Sequence, residues 1–271
     1  MLHVHRLGPD RFKLKGQTGK GFAEKPDSAL FDRSWAQPQP LDRLARAWPA
    51  VMTYVRAAVE AAPPKYLSSE GLVQARLGRG AESFATIDRE VVINFPSQLI
   101  KDAALAEEVA GIRAAREQLA TIDRWAEKDK AFGDELDMLA VDREGRVLVV
   151  EVKDGGDTAG VGWTPAQVAR YLRLCQLWVD ATPWAPSILN GMLRQATEIG
   201  LAADRDYTVA DPLTLVPVIA VGQPVKNPPV ANERMRIVHD ALAEHGVGLA
   251  GLQVWSVGVD GRAENRRLGE I

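Results

Sequence analysis

Residues 134–156 read DELDMLAVDREGRVLVVEVKDGG. Two apolar runs, Asp137–Val141 and Val147–Lys153, flank the four residues Asp142 to Gly145. That length, with glycine at its end, suits a tight hairpin loop. The second run is the most hydrophobic strand-like segment of the chain, yet it closes on Glu151-Val152-Lys153. Side chains two apart on a strand share a face, so an acid and a base stand together at the end of a buried strand. Such a placement needs a physical reason.

The hairpin supplies one. Pairing Asp142 with Arg146 sets Asp137 directly across from Glu151, with Cβ atoms roughly 4.5–5.5 Å apart on one face. Lys153 follows on that face, while Val150 and Val152 point the other way. Two facing carboxylates repel unless a cation lies between them. A hard dication such as Mg2+ binds through one or two carboxylates with waters and phosphate oxygens. It turns a bound water into a nucleophile and stabilises charge on a phosphodiester. Lys153 would orient or help deprotonate that water, or balance the negative transition state.

The surrounding chain is that of an ordinary globular protein. Its 271 residues, 46% hydrophobic and 25% charged, suffice for one large domain or two small ones. The single cysteine, Cys175, excludes an internal disulfide framework and a multi-cysteine metal site. No apolar run approaches the ~18 residues that span a bilayer, and the opening MLHVHRLGPDRFKLK lacks a secretory apolar core. No membrane partner and a cytoplasmic location are the expectation. A net charge of -3 argues against a chain-wide electrostatic grip on nucleic acid and leaves room for a local basic groove.

Working outward, residues 1–40 look irregular, with GQTGKG, EKPDS and QPQP as loops. Leu41 to Val59 forms an amphipathic helix stopped by Pro63-Pro64. The chain therefore divides into an N-terminal extension, 1–62, and a main domain, 63–271. Leu72–Phe95 reads as a hairpin, although its first run also suits a short helix opening at Ser68. Residues 103–128 carry the longest helical pattern. After the opening stretch, Thr164 and Pro165 have the chemistry of a helix start. Leu213–Gly222 reads as a buried strand, Asn232–Glu244 as a helix and Leu252–Val257 as a last strand. This order describes a mixed α/β domain.

Asp137, then Glu151-x-Lys153 across a hairpin, resembles the signature of the PD-(D/E)xK, or restriction-endonuclease-like, nuclease superfamily. On the next helix Gln167-Val168-Ala169-Arg170-Tyr171 is similar to the QxxxY motif of RecB-type nuclease domains. Gln167 and Tyr171 are four apart and share a helix face. The resemblance covers about Gly133 to Val179. It implies a restriction-endonuclease-like mixed sheet flanked by helices, with Asp137, Glu151 and the Val152 carbonyl as ligands of Mg2+ or Mn2+. It also implies Lys153 as the catalytic lysine, and Gln167 and Tyr171 as residues that position it or the substrate. Asp134 competes with Asp137, which is preferred because apolar residues follow it at once. A further acid from a preceding helix is expected, with Glu70, Glu107, Glu108 and Glu117 as candidates.

Other chemistry-bearing residues have plainer readings. Asp154, Asp157 and Thr158 suit a turn. His3, His5, His239 and His245 are scattered, and Trp163, Trp178 and Trp184 suit core packing, with Trp163 placed to stack on a base if exposed. The basic clusters at Arg11–Lys20, Arg43–Arg46 and Arg266-Arg267 read as solvated faces. No phosphate-cradling glycine motif occurs. The expected function is Mg2+- or Mn2+-dependent hydrolysis of phosphodiester bonds, most readily in DNA. The alternative is a catalytically silent nuclease-fold module that binds DNA or protein.

Overall fold

The computed structural model describes residues 2–6, 11–16, 39–40, 42–43, 45–49, 51, 53, 70–80, 82–122, 124–127, 135–198 and 207–271. The chain divides into two compact units, Met1–Ser68 and Ser69–Ile271. In the first, β1 (Leu2–Arg6), β2 (Arg11–Gly16) and β3 (Gln39–Pro40) form an antiparallel sheet in that order. This corrects the expectation of an irregular start. Leu2 and Val4 alternate with polar residues, as do Phe12 and Leu14, which is the period of a strand. Val4 pairs with Leu14, His3 with Lys15 and His5 with Lys13.

The second unit is α/β, a six-stranded mixed sheet flanked by helices. Its elements are α1 (Glu70–Gly80), β4 (Phe84–Val92), α2 (Gln98–Ala104), α3 (Ala106–Ala120), a 3-10 turn (Arg124–Glu127), β5 (Glu135–Asp142) and β6 (Val147–Lys153). Then follow α4 (Thr158–Asp180), α5 (Ala185–Glu198), β7 (Leu215–Gly222), α6 (Pro228–Glu244), β8 (Gln253–Val257) and β9 (Ala263–Arg266). The strand order is β4-β5-β6-β7-β8-β9. Strands β6, β7 and β8 are parallel neighbours, and the remaining pairs are antiparallel.

The hairpin pairs as its sequence dictates, from Met138 with Val150 to Val141 with Val147. Its turn is held by one carboxylate. Asp142 accepts from the Glu144 and Arg146 amides at 3.1 and 2.9 Å and from Arg146 Nε at 2.7 Å. Gly145 takes φ +79°, which glycine tolerates. Strand β6 is paired on both sides, which accounts for its unbroken apolar run. Leu139, Val141, Val147 and Val149 pack with residues of α4 and α5, whereas Met138, Ala140, Leu148, Val150 and Val152 pack with Val73 and Leu77 of α1.

Several sequence expectations are corrected. Residues 72–95 are a helix and a strand: the helical alternative for the first run holds and the hairpin does not. Glu70, Val73, Gln74 and Leu77 follow helical spacing, and burying Val73 and Leu77 beneath the sheet decides the matter. The 103–128 pattern is two helices meeting at buried Leu105, the first opening earlier under the cap of Ser97. Helix α4 opens at Thr158, capped by Asp157, and not at Thr164. Pro165 thus lies inside a helix, where it has no N–H to donate, and the Thr164 hydroxyl donates to the Gly160 carbonyl at 3.0 Å. Helix α5 and strand β9 were not anticipated, although Ala185, Leu189, Leu193 and Ala196 form a buried helical stripe.

The β8–β9 turn fixes α1 from outside. Gly261 has φ +84°, and a Cβ there would lie 2.2 Å from the Arg76 carbonyl oxygen. Gly261→Ala is expected to destabilise the protein by about 2–3 kcal/mol through backbone strain and collision. The check is a thermal melt, with Tm lower by about 4–12 °C. Among the described residues no helix is long and apolar enough to cross a membrane.

Candidate metal centre

Asp137 continues the hairpin register one residue beyond Met138 and so stands across from Glu151. Its Oδ2 accepts from the Val152 amide at 2.7 Å, which fixes the carboxylate at the end of β6. Glu151 is 2% exposed. From the other face of the sheet, Glu70 reaches the same strand end from the first turn of α1. One carboxylate oxygen each from Glu70, Asp137 and Glu151 lie within 4.8 Å of one another. The structure thereby selects Glu70 among the acids that sequence left open. Glu107 and Glu108 start α3 and Glu117 pairs with Arg113 on that helix. Asp134 lies outside the described residues.

Lys153 Nζ binds this group together. It sits 2.6 Å from Glu151 Oε1, 2.9 Å from Glu70 Oε1 and 3.0 Å from the Val152 carbonyl. The lysine and glutamate side chains of the closer pair are 12% and 3% exposed, so solvent screens them little. Glu151 Oε2 is buried, and the Glu151 side chain is hydrogen-bonded with that of Asp137. Crowded buried carboxylates are costly unless a proton or a cation lies among them.

The electrostatics are those of crowded acids. Burial, then the neighbouring Glu151 and Glu70 carboxylates, push Asp137 up from 3.8 to about 9, against the pull of Lys153 and the Val152 amide. Burial likewise raises Glu151, with Lys153 opposing it. Burial alone would lower Lys153, but Glu151, Glu70 and Asp137 together hold it above its ordinary value. The surrounding acids thus favour the charged ammonium, and burial favours the protonated form of the acids.

These donors fit a hard dication. All are oxygens, and oxygens on opposite sides of Mg2+ at 2.0–2.1 Å are about 4.2 Å apart, within the spread of the triad. The Val152 carbonyl, expected as a further ligand, faces the Lys153 ammonium in this arrangement. Tyr171 is 3% exposed and packs in the apolar cluster of Val147, Val149 and Leu174 beneath the hairpin. Gln167 is half-buried on the same helix face, one turn nearer the start of α4.

The plainer readings meet the structure as follows. Asp154 accepts from the Gly156 amide at 2.8 Å as a turn residue, and Asp157 caps α4. Trp163 is buried against Trp125, with Arg116 over its ring at 5.3 Å, and so has no open face for a base. His245 contacts Gln118 at 2.8 Å and His239 contacts Asp240 at 3.3 Å. An apolar cavity of about 300 Å3 lies between the sheet and α4 and α5, lined by Leu139, Val147, Cys175, Trp178 and Met192 among others. Its thiol, pushed up to about 12 by burial, is inert at neutral pH. The carboxylates take no part in it. No family model, curated protein or solved structure matches the chain, so the chemistry of this centre rests on its own residues.

Proposed function

We propose that the chain is a Mg2+- or Mn2+-dependent hydrolase of phosphodiester bonds, acting on DNA, with a restriction-endonuclease-like fold. The observation that carries this reading is the convergence of Glu70, Asp137 and Glu151 on one point beside the Lys153 ammonium. Glu70, Asp137 and Glu151 would hold the ion, which when bound supplies a water of lowered pKa and charge to offset the developing phosphorane. Lys153, charged throughout the working pH range, positions that water and faces the negative transition state. Glu70, in the first turn of α1, keeps its side chain 43% exposed at the edge of the cluster. The preference for DNA rests on the resemblance of the Asp137, Glu151-x-Lys153 pattern to nucleases.

Labelled single- and double-stranded DNA and RNA, incubated with the protein in Mg2+, Mn2+ or EDTA, test this directly. DNA should be cut with either metal and spared in EDTA. No cleavage of any substrate, with a Tm unmoved by Mn2+, would overturn the reading and favour the silent binding module.

The raised acids add a pH signature. Asp137 holds its proton to about pH 9 when folded, against 3.8 as an ordinary side chain. The folded protein therefore binds more protons than the unfolded chain between these values. The stability this gives is complete below about pH 4 and is lost as pH rises toward 9. Metal needs the ionised carboxylate, so its apparent affinity should rise over the same range. Melting from pH 6 to 9 should show a falling Tm in EDTA and a growing Tm gain from Mn2+. A gain independent of pH would remove Asp137 from the ligand set.

A further inference from the structure

The contacts of α1 with the sheet through Val73 and Leu77 are apolar and non-directional, and do not by themselves fix its register. A shift of one residue moves a helical side chain by 1.5 Å along the axis and 100° around it. Either displacement would take Glu70 out of the cluster. A directional contact between α1 and β5 comes from Gln74, one turn beyond Glu70 on the same helix face and only 6% exposed. Its Nε2 donates to the backbone carbonyl of Asp137 and lies 3.5 Å from Glu90 Oε1. Glu90 falls between Arg89, paired with Met138, and Val91, paired with Leu136, and so stands opposite Asp137 in the β4–β5 register. It has φ +53°, a conformation that costs a non-glycine residue energy and persists only where its surroundings hold it.

We propose that Gln74 is a positioning residue, which locks α1 onto β5 so that the Glu70 carboxylate meets those of Asp137 and Glu151. This deepens the metal-dependent function proposed above and rests on it. One side-chain amide spans the helix that carries Glu70, the strand that carries Asp137 and the neighbouring strand. It grips Asp137 by the backbone, leaving the Asp137 carboxylate to the Val152 amide. Gln74 itself touches neither ion nor substrate and acts through Glu70.

The test is Mn2+ affinity by isothermal titration calorimetry for Gln74→Met, made both in the native chain and in Glu70→Gln. Methionine keeps the volume and removes the donor. Outer partners of metal ligands contribute about 10–100-fold to affinity, so Gln74→Met alone should weaken Mn2+ binding by that factor. In the Glu70→Gln background it should change affinity by less than about twofold, because the carboxylate it places is gone. Equal losses in both backgrounds would show general loosening and overturn the proposal, as would full affinity in Gln74→Met. If Gln74→Met does not fold, Gln74→Ala, which leaves room for a water on the Asp137 carbonyl, carries the same cycle. A folded native chain that binds no Mn2+ would instead bring down the metal-dependent reading, and this proposal with it.

Discussion

Glu151→Gln should lower metal-dependent DNA cleavage by about a thousandfold, a loss of about 4 kcal/mol of transition-state stabilisation. The amide keeps the shape of the side chain and removes the charge from the most buried of the three acids. It also replaces a carboxylate oxygen with a group that cannot hold a dication as strongly. The protein should remain folded, since Lys153 keeps its ion pair with Glu70 at 2.9 Å. DNA binding should not fall in step, because fewer negative charges then face the phosphates. Single-turnover cleavage beside an equilibrium binding curve measures both. Undiminished cleavage in Glu151→Gln would exclude this cluster as the catalytic centre.

Lys153→Met should have the largest effect on stability. The ammonium is the counter-charge of Glu70 and Glu151, and it is almost enclosed. Removing one partner of a buried ion pair typically destabilises by about 3–5 kcal/mol, because the other charge stays behind. For a domain of this size that corresponds to roughly 6–20 °C in Tm. The deficit should grow as pH rises, since ionisation of the crowded Asp137 and Glu151 carboxylates adds repulsion that the ammonium otherwise offsets. Mn2+ should recover part of it and bind more tightly than to the native chain, because it no longer competes with the ammonium for the same oxygens. Cleavage should still be lost. A variant as stable as the native chain at pH 8 would mean that the lysine contributes nothing to holding the acids together.

The parts of the site that could be read from sequence are those set by local rules. The DREG turn and strict two-residue alternation place Asp137, Glu151 and Lys153 together without knowledge of any distant segment. Glu70 was not legible in the same way. It lies 81 positions before Glu151, and nothing local separates it from the glutamates of α3. Its helix stayed an open alternative to a strand because Leu72, Val73 and Leu77 satisfy neither period cleanly, and Gly71 and Gly78 weaken the helical pattern. Gly78 has a tertiary cause, since a Cβ there would lie 2.2 Å from the Arg89 guanidinium. The early start of α4 was hidden because Pro165 has the chemistry of a first helical residue, and only packing of Val161 and Trp163 extends the helix before it. At Tyr171 the motif spacing and the core-packing pattern coincide, so sequence alone could not separate them.

The Asp137 side chain, by accepting from the Val152 amide, occupies a hydrogen-bonding position on the backbone of β6. The ionisation of the centre is therefore coupled to the main chain of a central strand. Any event that draws charge from that carboxylate, by a proton or by an ion, weakens what it gives to the amide. The Val152 N–H is thus a native spectroscopic probe, whose proton resonance and solvent exchange register the state of the acids with no label introduced. The same coupling ties two design problems together: a substitution at Asp137 alters the end of a strand as well as a proposed ligand, so its effect on chemistry cannot be read apart from its effect on the hairpin.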